Sequence, residues 1–260
     1  MSMHHIDNMT WVEYRDLVSA SGKPLLVPVG SIEQHGPHLP LATDALIPEA
    51  VCEAVAKLTG AVVGASLTYG SRSTPRSGGG QHFCGTTSLD ASTLIAQVRD
   101  LVREFSRHRV KGVAFIAGHM ENTWVLNEAC ELALRDARAE GHTPPLLMSV
   151  GYWEFLDAGT IDAVFGEQQP NWPLEHAGVV ETSIMLHLHP DAVHMDRLVD
   201  HPPMALPVYD LWPYREDDVP ADGVLDSARG ARAEHGKLFF DSVVKGLASA
   251  VQREFFAGDE

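Results

Sequence analysis

Short apolar runs alternate with helical patterns through the first 150 residues, and this alternation narrows the folds open to the chain. Pro24–Val29, Ala61–Ala65, Val113–Ala117 and Pro145–Val150 read as strands. A helical pattern opens at Asp44, continues through Val51, Val55 and Leu58, and stops at Gly60. Ser88–His108 places Leu94, Val98, Leu101, Val102 and Phe105 on one helical face, and Glu121–Glu140 forms a third helical stretch. Parallel neighbours need a crossover connection, so the pattern predicts an α/β fold with a mainly parallel central sheet flanked by helices. Thr10-Trp11-Val12-Glu13 reads as a capping box opening a short helix. Residues 151–230 are less regular and rich in Pro and Trp, and a last helix runs from about Arg232 to Phe255. There is no internal repeat and no clear linker, so residues 1–260 are expected to form a single domain.

Sheets of this kind collect ligands beyond the carboxyl ends of their strands. Two such ends carry the chemistry. After the first strand comes Glu33-Gln34-His35-Gly36-Pro37-His38, with Asp44 at the start of the following helix. After the third comes Gly118-His119-Met120-Glu121-Asn122. Glu33 and His35 are two apart, as are His119 and Glu121, so each pair points one way from an extended segment. Singly, each could be a loop residue that caps a helix or bonds an amide. Together they read as a metal site, and mixed imidazole and carboxylate donors suit Zn²⁺ or Mn²⁺. The carboxylates Glu33, Asp44 and Glu121 carry three negative charges. One divalent cation would leave a surplus of buried negative charge, whereas two with a bound hydroxide reach neutrality. A carboxylate such as Asp44 can bridge metals about 3.5–4 Å apart.

Composition removes other classes. The formal charge is −16, from 19 basic and 35 acidic residues, which repels nucleic acid and anionic membranes and favours a neutral or cationic small substrate. The three cysteines, Cys52, Cys84 and Cys130, form no CxxC pair and fit a reducing, cytoplasmic setting. Met1–Thr10 is polar and lacks the apolar stretch of a signal peptide. No apolar run approaches the ~20 residues that span a bilayer.

A second group of residues points to catalysis. Trp172-Pro173-Leu174-Glu175-His176 sets a Glu-His pair beside a large aromatic, and Trp153 follows the fourth strand. Tryptophans in loops often only cover a core, but beside a polar pocket they can exclude water and stack on a flat substrate. His176 is suited to proton transfer near neutral pH, with Glu175 or Glu181 orienting it. His38 and His82 read as loop hydrogen-bonders. Tyr69–Thr87 is a long loop containing Ser77-Gly78-Gly79-Gly80, of the kind that is functional or disordered.

These strings resemble the creatininase (creatinine amidohydrolase) family along nearly the whole chain. The resemblance is carried by Val29–Gly36, Ser77–Gly80, His82–Asp90, Gly118–Asn122 and Glu175–Ser183. It implies a layered α/β sandwich and two divalent ions, Zn and/or Mn, held by Glu33, His35, Asp44, His119 and Glu121 with Asp44 bridging. It also implies substrate and proton-transfer roles for Ser77, Met120, Trp153, Trp172, Pro173, Glu175 and His176, and a homohexamer. The expected reaction is ring opening of creatinine to creatine by a metal-bound hydroxide, with His176 as proton shuttle. Creatininases carry a tyrosine at the position of Met120 and an aspartate at that of Pro173, so two polar groups are missing at the substrate. The alternatives are a hydrolase of another small lactam or formamide, and a non-catalytic metal-dependent binding or scaffold protein.

Overall fold

The computed structural model describes residues 4–257. Four parallel strands form one sheet in the order β2-β1-β3-β4. They are β1 (Leu25–Val29), β2 (Val62–Val63), β3 (Gly112–Ala117) and β4 (Leu146–Gly151). Leu25 pairs with Val113 and Val29 with Ala117, so β1 and β3 end side by side. The α-helices among the described residues are α1 (Trp11–Tyr14), α2 (Thr43–Thr59), α3 (Ala91–Arg107), α4 (Asn122–Ala139), α5 (Ala158–Phe165), α6 (Val179–Leu188) and α7 (Ala233–Phe255). The capping box at Thr10 is present, and α1 continues as a π-helical turn over Arg15–Ala20.

Every residue of β1 and β3 is buried, as a strand covered on both faces requires. Their side chains alternate between two cores. Leu26, Ala114 and Ile116 pack under α2, α6 and α7 with Val51, Ile184 and Phe239. Leu25, Val27, Val113 and Phe115 pack on the other side with Leu94 and Val98 of α3 and Leu126 of α4. The layered sandwich is therefore helix, sheet, helix.

The strand expected over Ala61–Ala65 shortens to Val62–Val63, the two residues in register with Leu25 and Leu26 of β1; Val63 also bridges to His5. The less regular stretch 151–230 holds two helices, α5 and α6, among short 3-10 turns and loops. Helix α6 shows no apolar stripe because much of its surface is covered; Val180, Thr182, Ser183, Ile184 and Met185 are all buried. The polar stretch Met1–Thr10 lies partly outside the described residues. Among the described residues no helix is long and apolar enough to cross a membrane.

Gly236 lets α7 close on α6. A Cβ there would stand 1.8 Å from the Ser183 carbonyl oxygen. In an open helix interior Gly→Ala stabilises by about 1 kcal/mol. Here overpacking reverses the sign, and Gly236→Ala is expected to cost about 1–3 kcal/mol in denaturant unfolding. A more stable variant would show that the helices have room to part.

Candidate metal centre

The centre is built where α2 meets the ends of β1 and β3. A Cβ on Gly30 would lie 2.5 Å from Ala45 Cα, and one on Gly118 only 2.0 Å from the Asp44 carbonyl oxygen. Glycine at both strand ends thus allows the first turn of α2 to press between them. Asp44 is not the cap of α2, since the helix starts at Thr43 after Ala42. Its carboxylate turns inward instead, still within the first turn where the helix dipole favours negative charge. Asn122 locks the junction. Its side chain donates to the Gly30 carbonyl at 2.9 Å and accepts from the Ser71 amide at 2.8 Å.

The structure brings Glu33, His35, Asp44, His119 and Glu121 together, all buried. His119 Nδ1 lies 2.9 Å from Glu33 Oε2 and 3.1 Å from Asp44 Oδ2, while His119 Nε2 lies 3.4 Å from Glu121 Oε2. His35 Nε2 lies 3.0 Å from Asp44 Oδ1 and 3.8 Å from Glu181 Oε2. Two ligand triads result, Glu33–Asp44–His119 and His35–Asp44–Glu181, and Asp44 belongs to both. Glu33, His35 and His176 form a third grouping. Glu121 stands at one side, with Oε1 accepting from Ser77 Oγ and from the Thr74 amide at 3.0 Å.

The donor atoms fit a cation. Glu33 Oε1, His35 Nε2, Asp44 Oδ2 and Glu121 Oε2 are buried and make no hydrogen bond. Unpartnered buried acceptors are costly, and a positive ion among these side chains would satisfy them. Electrostatics point the same way. Although burial works against the charged form of His35, Asp44, Glu181 and Glu33 push it up to about 10. Burial likewise opposes the charge on Asp44, yet His35 and His119 hold it well below the usual carboxylate range. The acidic cluster therefore demands positive charge, which divalent ions supply while leaving the imidazole lone pairs free to bind them.

Above the cluster opens a cavity of about 490 Å³. Ser77, Met120, Trp153, Trp172, Pro173, Glu175 and His176 all line it. Met120 and Trp172 are 45% and 43% exposed, so both stand at the mouth. Glu175 is engaged through its Oε1, which accepts from the Val180 amide at 2.6 Å and from the Glu181 amide at 3.3 Å. It holds the start of α6, and burial pushes its carboxyl up to about 7. The Trp153 indole donates to Glu154 Oε1 at 3.2 Å.

The His176 ring stacks on His35, with centroids 4.4 Å apart. The side-chain amide of Gln34 donates its two hydrogens to the Gly78 carbonyl at 2.5 Å and the Gly223 carbonyl at 2.8 Å. No hydrogen remains for His176 Nε2, 3.0 Å away. The hydrogen-bond network thus assigns the Nε2 proton to His176, which donates to the Gln34 backbone oxygen at 2.9 Å. Burial pushes the His176 imidazole well below its ordinary value. His38 is a hydrogen-bonder, as expected, with Nε2 3.0 Å from Thr182 Oγ1.

Glu181 as a metal-facing carboxylate and Gln34 as an anchor were not legible as such. The signal for Glu181 was a single carboxylate within the apolar run of α6, where buried acids are rare unless paired.

Imidazoles and carboxylates gathered beneath a cavity at parallel strand ends define a metal-dependent hydrolase of α/β architecture. The chain belongs to the creatininase family, whose profile, described as creatinine amidohydrolase, matches residues 7–251. It is 43% identical to the creatinine amidohydrolase of Pseudomonas putida over 96% of each chain. It is 34% identical to a mycofactocin precursor peptide peptidase of Mycobacterium ulcerans, over 88% of this chain and 84% of that one. A solved structure described as "Creatininase Mn" superposes with a TM-score of 0.94 at 43% identity, over 97% of this chain and 98% of that one. The scaffold alternative is set aside: the chain is a creatininase-family hydrolase with divalent metal as cofactor.

Proposed function

We propose that this chain is a single-domain, two-metal amidohydrolase that opens a cyclic amide, with creatinine to creatine as the specific reaction. The observation that carries the reading is the pair of ligand triads sharing Asp44 beneath the cavity. Glu33, Asp44 and His119 would hold one ion and His35, Asp44 and Glu181 the other, with Glu121 beside the first. Zn²⁺ and Mn²⁺ both suit these donors. When bound, such ions polarise an amide carbonyl and lower the pKa of water from 15.7 toward about 7.

The chain's own groups do the rest. Trp153 and Trp172 flank a flat ring and exclude water from it. Ser77 holds Glu121 in place through its hydroxyl. His176 is anchored through its Nε2–H, which leaves the Nδ1 lone pair to take up the proton released by the attacking water and pass it to the departing ring nitrogen. A homohexamer in the cytoplasm completes the reading. Its support is the resemblance to creatininases, three free cysteines, and exposed apolar residues such as Val208 and Trp212.

A different small lactam or formamide is the second reading, and the cavity wall favours it. Met120, Trp172 and Pro173 offer no carboxylate, while Glu175 and Glu154 are engaged by the α6 amides and the Trp153 indole.

Elemental analysis is expected to give about two divalent ions per chain, and Asp44→Ala to lose both, as a bridging ligand must. A single ion at saturation would refute the two-metal site. His176→Ala should keep its metal and lose roughly 10²–10⁴-fold in kcat, the usual range for acid–base catalysis. Specificity is read from kcat/KM on creatinine, hydantoins, small lactams and formamides. Each missing hydrogen bond to a buried polar group costs about 1–3 kcal/mol. Met120→Tyr with Pro173→Asp is therefore expected to raise creatinine turnover at least about tenfold. Activity on another cyclic amide alone, with no creatinine turnover in either form, would select the second reading.

A further inference from the structure

Ala177 follows His176 and is fully buried, yet its φ is +54°. Among the described residues only one other non-glycine, Arg109, has a positive φ. A side chain with a Cβ resists this left-handed region, so the surrounding structure must impose it. Both polar groups of Ala177 are held. Its N–H donates to Glu181 Oε2 at 2.7 Å. Its carbonyl accepts from Thr182 Oγ1 at 3.2 Å. Thr182 has one hydroxyl hydrogen, which goes to that carbonyl, so its oxygen accepts from His38 Nε2 at 3.0 Å. His38 and Thr182 are themselves fully buried. The His38 backbone is fixed in turn, its carbonyl accepting from the His194 amide at 2.8 Å.

We propose that His38 and Thr182 are positioning residues: their hydrogen-bond relay holds the Ala177 carbonyl in its left-handed turn and thereby aims the His176 imidazole at the substrate. The inference rests on the proton-transfer role of His176. It accounts for Thr182 of the family-like string Glu175–Ser183 and for His38, neither of which lines the cavity. The geometry makes the relay effective. His176 is the last residue before the strained peptide, and its own amide donates to the Leu174 carbonyl at 2.8 Å. Its ring sits against Gly78, where a Cβ would come within 2.3 Å of His176 Cδ2. With the ring confined on that side and stacked on His35, a change at Ala177 must displace the imidazole.

Thr182→Val keeps the shape and removes the hydroxyl. It is expected to lower kcat at least about tenfold on the best substrate, with KM within about threefold and metal content unchanged. Thr182→Ser, which restores the hydroxyl, should recover most of that loss. In the His176→Ala background Thr182→Val should have no further effect, since residues acting as one unit are not additive. His38→Leu tests the other end of the relay and serves if Thr182→Val fails to fold. Wild-type kcat in folded Thr182→Val, or an equal loss with and without His176, would overturn the proposal. If His176→Ala itself keeps full turnover, the proton-transfer reading fails instead. The relay is then judged by NMR of the His176 Nε2–H signal. A shifted signal in Thr182→Val with a native one in Thr182→Ser supports it, and an unchanged signal in both overturns it.

Discussion

The close approach of α2 to two strand ends is the constraint on which the rest depends. Without Cβ atoms at Gly30 and Gly118, the helix enters between β1 and β3. Asp44 then lies within 3.1 Å of both His35 and His119. A bulkier residue at either glycine would push out the carboxylate that both triads share. The helix start also contributes, because its dipole favours a negative charge there. One packing contact therefore sets the candidate metal ligands, the charge balance and the floor of the cavity.

The acidic cluster is stable only in company. Buried carboxylates and imidazoles without partners cost several kcal/mol each in an apolar interior. The chain reduces that cost with fixed dipoles and direct bonds: Ser77 and the Thr74 amide on Glu121, and the α6 amides on Glu175. The remaining buried acceptors have no hydrogen-bond donor, and a cation would take its place. Metal affinity and folding are thus linked, since an ion that binds only the folded chain stabilises it.

The second half of the chain supplies what the strand ends cannot. Helix α6 delivers Glu181 to His35, and the turn before it delivers His176 to the same ring. Gly236 lets α7 press on α6 and keep it there. The candidate site therefore draws on residues far apart in sequence, held by helix packing rather than by a continuous motif.

Strand-helix alternation, two strand ends rich in His, Glu and Asp, and the charge of −16 were legible in the sequence. They are local patterns, and local patterns report backbone period, strand ends and overall electrostatics. So Glu33, His35, Asp44, His119 and Glu121 could be grouped before any contact was known. The sequence could not show α6, because a helix covered on most sides carries no polar-apolar stripe to announce its period. Nor could it show Glu181 beside His35, Gln34 anchoring His176, or Glu175 engaged by the α6 amides. Those placements depend on which distant backbone groups the fold brings within hydrogen-bond reach, and only tertiary packing decides that.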